Sequence, residues 1–545
     1  MTNPTITLHD VSFVLPDGRP LFADLNETLD ATRTGLVGRN GVGKSVLARI
    51  LAGLQPPTTG HCARSGPVHY LAQRVTPPPG STVADLAGVA ESLAALARIE
   101  AGGAAGADFE RVGDRWDLRE RLQAALRRAG LPWLDPATPA ARLSGGQAMR
   151  VALAGALLSE ADFLILDEPS NHLDRPGRLA LIDQLRAWPR GLLVISHDRR
   201  LLGDMERILE LSPQGLRRYG GDYRFYAERK AEEHAQAEQT LARRKHERRR
   251  EEAALRQQQE RQQRRRARGD RHGKQANQAR VLLDGQKERS EHSTGKLRRQ
   301  HAATRERLDE RVRAAADNLD DEAAIHLHTP PAPDKAPDRL VHLHRATLPR
   351  LTGPAAHLDL SLSGRQRLAV TGANGSGKST LLRVLAGRLA PLAGECRLPD
   401  RRLYLDQHLL DGAPSASALD RLRAANRAAT DSDLRMRLAQ LGLDADTIVA
   451  PRASLSGGER LKAALACVLY ADPPPRLLLL DEPGNHLDLP SLNALETLLR
   501  AYRGALVVVS HDDAFLARLG LTHELAATDE GWSLTPWHPV ERDRS

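Results

Sequence analysis

A lysine and a serine that close a run of spaced glycines occur twice in this chain. Gly38-Arg39-Asn40-Gly41-Val42-Gly43-Lys44-Ser45 and Gly372-Ala373-Asn374-Gly375-Ser376-Gly377-Lys378-Ser379 share one spacing. Glycines there let backbone N–H groups reach phosphate oxygens with no Cβ in the way, the lysine neutralises phosphate charge, and the hydroxyl suits Mg²⁺. Val46 and Thr380, the next residues, belong to the same candidate set. Each half also holds an apolar run that ends in Asp-Glu-Pro, at Asp167-Glu168 and Asp481-Glu482. Asp167 and Asp481 are candidates to hold the metal with Ser45 and Ser379, and Glu168 and Glu482 to polarise an attacking water. The chemistry these residues point to is hydrolysis of a nucleoside triphosphate.

Such residues need strands that end where the ligand sits. The runs 163–166, 192–195, 477–480 and 506–509 are apolar and β-rich, and each ends in polar residues, as buried parallel strands do when ligands bind at their carboxyl ends. Short apolar strands at 35–37 and 368–370 lead into the two glycine-rich loops. The halves repeat closely: Lys44 to Gln73 and Lys378 to Gln407 are both 29 residues, as are Glu168 to His197 and Glu482 to His511. The offset between halves falls from 334 at the lysines to 312 at Ser144 and Ser456, which leaves 22 extra residues in the first half. They fall around 84–117, and a small helical elaboration or a surface loop would account for them.

Leu143-Ser144-Gly145-Gly146-Gln147 and Leu455-Ser456-Gly457-Gly458-Glu459, taken with Gln73, Gln407, His197 and His511, resemble the ATP-binding cassette (ABC) superfamily over nearly all of both halves. That resemblance implies an α/β fold of two ABC-type P-loop ATPase domains in a head-to-tail sandwich, each signature completing the ATP site of the other. One site would join Lys44, Ser45, Gln73, Asp167, Glu168 and His197 to the signature at 456–459. The other would join Lys378, Ser379, Gln407, Asp481, Glu482 and His511 to the signature at 144–147. Both keep the glutamate and the histidine, so both are expected to hydrolyse ATP with Mg²⁺; one degenerate site is the alternative. These ATPases usually stack the adenine on an aromatic before the loop. Phe13 is the candidate in the first half, whereas 338–371 contain no Phe, Tyr or Trp.

At 545 residues the chain suits two domains and a connector, and its 3 cysteines, far apart, fit neither a disulfide framework nor a zinc site. No run approaches the ~18 apolar residues of a membrane span, and no signal peptide is recognisable at the start, so a cytoplasmic protein is expected. Net charge is +9, and residues 231–313 hold 24 Lys/Arg against 14 Asp/Glu, so this segment carries the whole excess. The expected division is a first cassette at 1–224, a basic antiparallel helical hairpin at 225–325, a proline-rich hinge at 326–337 and a second cassette at 338–540. Leucines 241 and 255, and 283 and 297, lie two heptads apart and give the hairpin a thin seam. A turn at Gly269–Gly273 would place Arg264, Arg265, Arg266, Arg268, Arg271 and Lys274 at its tip (about 261–274), where guanidinium groups can grip phosphates and stack on bases. A solvated spacer is the plainer alternative. Trp532 and Trp537 read as packing residues of a last strand.

After each glutamate stands an Asn-His-Leu-Asp run (171–174 and 485–488). With the two fused cassettes and the charged linker, it resembles the ABC-F family; Ser170 and Gly484 replace that family's usual Thr. The aromatic turn at 219–226 resembles the family's exit from the first cassette. The resemblance implies a monomer with an intramolecular sandwich that binds the ribosome in its ATP-closed form near the tRNA exit site, with ribosomal RNA and tRNA as partners and no permease. Ribosome protection against antibiotics is the alternative within the family. Outside it stand an importer's ATPase subunit, which has no use for a basic hairpin, and a DNA-repair ATPase, which needs zinc cysteines or a far longer coiled coil.

Overall fold

The structure, a computed structural model, describes residues 4–103, 105–171, 173–275, 302–315, 339–406, 415–455, 457–485 and 487–538. They form two compact units, one of residues 1–226 with 325–545 and one of residues 227–324.

In the first unit each half carries a six-stranded sheet. The first runs in the order Val68–Leu71, Phe163–Asp167, Gly191–Ile195, Thr34–Val37, Arg207–Ser212, Gly215–Gly220, parallel except for the last strand. The second repeats it as Arg402–Leu405, Leu477–Asp481, Ala505–Val509, Arg367–Gly372, His523–Thr528, Gly531–Pro536. The central strands are buried along their whole length, which is why they are unbroken apolar runs in the sequence. A three-stranded antiparallel sheet accompanies each, ordered Pro20–Leu29, Ile6–Val14, Thr59–Arg64 and His357–Leu362, Val341–Thr347, Ala393–Arg397. The phosphate loop leaves the carboxyl end of a central strand in both halves. Two strands along, past Gly191–Ile195 and Ala505–Val509, strands of the same sheets end in Asp167 and Asp481, so loop and carboxylates meet at the same carboxyl-end edge.

The extra residues of the first half are helical. Ala90–Glu100 and Gly106–Val112 bury Ala95, Leu96 and Val112 in a small core, and Arg98 Nε donates to Asp108 at 3.2 Å. Trp532 donates through Nε1 to the Ala355 carbonyl (2.8 Å) from the last strand, and Trp537 packs on the adjoining core, as expected. Tyr219 and Tyr226 are buried, meet edge to face at 5.0 Å, and donate to the two oxygens of Glu210 (3.2 and 3.0 Å). They pin the residues at which the long helix begins.

That helix corrects one expectation. It runs Tyr223–Gln275, 53 residues or about 80 Å, straight through Gly269 and Gly273. A glycine costs a helix about 1 kcal/mol relative to alanine, too little to enforce a turn among good helix formers. In the second unit, residues 302–315 are also helical, and Arg248 Nη1 donates to Asp309 Oδ1 at 3.2 Å to tie the two segments. Leu283, Leu297 and the hinge at 326–337 lie outside the described residues, as do the side chains of Arg265, Arg266, Arg268, Arg271 and Lys274; Arg264 is exposed. No helix among the described residues is long and apolar enough to cross a membrane.

Candidate active site

The two phosphate loops are built alike. Gly43 and Gly377 sit at φ +108° and +96° as the helices begin, and a Cβ there would collide with Leu21 and Leu351. Lys44 Nζ donates to the carbonyls of Gly38 (2.6 Å) and Arg39 (3.1 Å), and Lys378 Nζ to those of Gly372 (2.9 Å) and Ala373 (2.7 Å). Each lysine thus folds back over its own loop, where burial holds its pKa below the ordinary lysine value.

Ser379 Oγ donates to Asp481 Oδ1 at 3.2 Å; burial raises the Asp167 pKa, and the nearby Ser45 hydroxyl works against that rise. Hydroxyl and carboxylate oxygens therefore converge in both halves, a donor set that suits the hard, oxygen-seeking Mg²⁺. On the far side of each aspartate a tyrosine donates, Tyr70 to Asp167 and Tyr404 to Asp481, both at 3.1 Å. Burial and the neighbouring carboxylate push the Tyr404 hydroxyl up to about 12, so it keeps its proton and fixes the carboxylate. Nothing in the local motif signals these tyrosines, which come from a strand 77 residues or more away.

Glu168 and Glu482 adopt φ +51° and +47°, a left-handed backbone that costs a non-glycine residue about 1–3 kcal/mol and marks functional positions. Each points its Oε1 at a histidine, 3.6 Å from His197 Nε2 or His511 Nε2. That is too long for a hydrogen bond and close enough to bracket a water. Among the described residues both Oε1 atoms are buried without a hydrogen-bond partner, as are both ring nitrogens of His197. Burial pushes Glu168 up to about 8 and Glu482 to about 7, and lowers His197 to about 3 and His511 to about 4. Both glutamates exceed the ordinary value near 4.5, so the unfolded chain gives up these protons first and stability falls as pH rises from about 4.5 to about 8. Removing the charge relieves that cost. The melting temperature of the nucleotide-free chain is expected to rise on Glu168→Gln or Glu482→Gln, more at pH 8.5 than at pH 5, in scanning calorimetry.

The opposite half closes each site. Asp488 Oδ2 accepts the Asn40 N–H (2.9 Å), and Asp174 Oδ2 accepts the Asn374 N–H (3.3 Å). Lys44, Ser45, Gln73, Asp167, Glu168 and His197 line a cavity of about 600 Å³ that Arg460, Asn485 and Leu487 complete from the second half. A groove of about 920 Å³ along the helices Gly145–Leu158 and Arg175–Arg186 is larger, but neither lysine nor any of the Asp-Glu carboxylates lines it, so the smaller cavity is the site. Ser144 caps the helix Gly145–Leu158, its Oγ accepting Gln147 N–H at 3.3 Å while Gln147 Oε1 accepts the Ser144 N–H at 2.8 Å. The helix Gly457–Leu469 starts likewise at Gly457, Gly458 and Glu459. Ser456 and Gln407, together with His172 and His486, lie outside the described residues. Phe13 is half-buried against Phe22 (centroids 6.2 Å), and the apolar wall of the cavity comes from Leu15 and Leu21 instead.

The family described as ABC transporter matches residues 24–171 and 355–485, the two halves just described. The chain belongs to the ATP-binding cassette superfamily, and it is an ATP-binding ATPase. Within that superfamily it is a member of the ABC-F family. It is 31% identical over 529 residues to ATP-binding cassette sub-family F member 3 of Homo sapiens, covering 93% of this chain and 69% of that protein. It is 34% identical over 535 residues to the tylosin resistance ATP-binding protein TlrC of Streptomyces fradiae, covering 90% and 91%. Among solved structures, that of the archaeal ribosome recycling factor aABCE1 bound to the stalk protein aP1 shares the tandem fold, with a TM-score of 0.57 at 18% identity over 96% of this chain and 89% of the other.

Proposed function

We propose that this ATPase acts on the ribosome, docking near the tRNA exit site while ATP holds its cassettes together and leaving after hydrolysis. The carrying observation is the linker: a helix of 53 residues, between two cassettes that already contact each other, in a segment holding 24 Lys/Arg against 14 Asp/Glu. A spacer needs no such excess, whereas a structured polyanion rewards it. Within each site, Lys44 or Lys378 grips the phosphates and Glu168 or Glu482 orients and polarises the attacking water. The histidine positions that water from the other side. Ser45 with Asp167, and Ser379 with Asp481, are the residues to hold Mg²⁺, which when bound neutralises phosphate charge. The opposing signatures (144–147 and 456–459) close on the γ-phosphate with their backbone N–H groups.

Sedimentation of ribosomes with the Glu168→Gln, Glu482→Gln chain tests this reading. The protein is expected in the ribosomal fractions with ATP and in the top fractions without it. Arg264→Ala, Arg265→Ala and Arg266→Ala together are expected to weaken the association about tenfold and to flatten its salt dependence. A protein that binds ATP and stays at the top of the gradient ends the proposal.

A second reading, protection of the ribosome from an antibiotic, has its own observation: the likeness to the tylosin resistance protein extends over 91% of that protein's length. Restoration of tylosin-inhibited translation by added wild-type protein separates the two.

A further inference from the structure

The two ATP sites are not furnished equally from the opposite cassette. In the Lys44 site the signature helix of the second half contributes Arg460 to the cavity wall. Its counterpart one residue past the other signature is Ala148, buried and without charge. The Lys378 site has a guanidinium of different origin. Arg178, on the helix Arg175–Arg186, is mostly buried; its Nη1 donates to Asp198 Oδ2 (3.4 Å) and, across the interface, to the His511 carbonyl (3.5 Å). Its Nε donates to the Leu173 carbonyl at 3.2 Å, which fixes the side chain against the Asp174 turn. The position four residues past Asp488, equivalent to Arg178, is Leu492, which has nothing to donate.

Among the described residues these contacts close a circuit in the second site. Asp174 accepts the Asn374 N–H, Asn374 Oδ1 meets His511 Nε2 at 3.2 Å, and the His511 carbonyl returns to Arg178. In the first site Asp488 accepts the Asn40 N–H, but the imidazole of His197 has no hydrogen-bond partner among the described residues.

We infer that Arg178 is a positioning residue in trans: from the first cassette it holds the His511 loop of the second, making the Lys378 site the tethered site and the Lys44 site the free one. A planar guanidinium with several donors suits this task, because it bonds a carboxylate and a carbonyl together. Release of the first cassette's Asp174 turn then loosens His511 directly, while His197 feels no such pull. The inference concerns ATP turnover alone and stands whether or not the partner is a ribosome.

The test is Arg178→Leu, which copies the other half, beside Arg178→Lys. Turnover of the Lys378 site is read in a Glu168→Gln background and that of the Lys44 site in a Glu482→Gln background. Arg178→Leu is expected to lower kcat of the Lys378 site about tenfold with little change in KM, and to leave the Lys44 site within about twofold. Arg178→Lys is expected to recover part of the loss. Amide hydrogen exchange of the nucleotide-free chain supplies a readout independent of activity: residues 509–513 should exchange faster in Arg178→Leu, and residues 38–43 of the first phosphate loop should not. Equal losses at both sites, or unchanged exchange around His511 in a variant that melts as the wild type does, overturn the inference.

Discussion

Replacing both Glu168 and Glu482 by glutamine is expected to lower ATP turnover by about 10²–10⁴-fold while leaving ATP binding intact. Glutamine fills the same volume and can keep the left-handed backbone at these positions, so the phosphate loops and the cross-cassette contacts of Asp174 and Asp488 persist. What is lost is the carboxylate's charge and basicity beside His197 or His511. The closed form then accumulates with ATP. Steady-state phosphate release and filter binding of labelled ATP check the two halves of the expectation. Retention of turnover within tenfold of wild type would show that other groups orient the water.

The second large effect is one of stability. Arg199 and Glu496, from opposite cassettes, form an ion pair with side chains only 3% and 6% exposed. Asn493 Oδ1 accepts from Arg199 at 2.8 Å, and Arg518 Nη1 donates to the other glutamate oxygen at 3.1 Å. Arg199→Ala leaves Glu496 buried with its main partner gone and is expected to cost about 3–5 kcal/mol. Arg199→Met with Glu496→Leu removes both charges and is expected to cost about 1 kcal/mol or less. Urea denaturation of the full chain separates them: the single variant should lose its first transition at much lower urea, and the double variant should recover most of the shift. Equal losses in the two would place the pair's worth in packing and not in charge.

Much of this was legible in the sequence because it is local. Glycines before a lysine, and apolar runs that end in Asp-Glu, name their own elements, and 163–166, 192–195, 477–480 and 506–509 all fall in strands. Tyr70 and Tyr404 were hidden because their partners lie in other strands, and only sheet order brings them to the aspartates. Arg178 reads as a helix-surface charge until the second half is set against it. Phe13 packs on Phe22 (centroids 6.2 Å) and stays half-buried. The glycines at 269 and 273 misled for an energetic reason: each weakens a helix without breaking it.

The seam between the cassettes also has a polarity. The first contributes Arg175, Arg199 and Arg200, the second Asp513 and Glu496, and Arg175 and Arg200 both reach Asp513 (3.1 and 3.2 Å). Two first cassettes brought together along this seam would set arginine against arginine, and two second cassettes would set acid against acid. Like charges facing one another reject such pairings. Among the many cassettes that share one fold, this chain carries its own rule for choosing a mate: its first half fits its second, and neither fits itself.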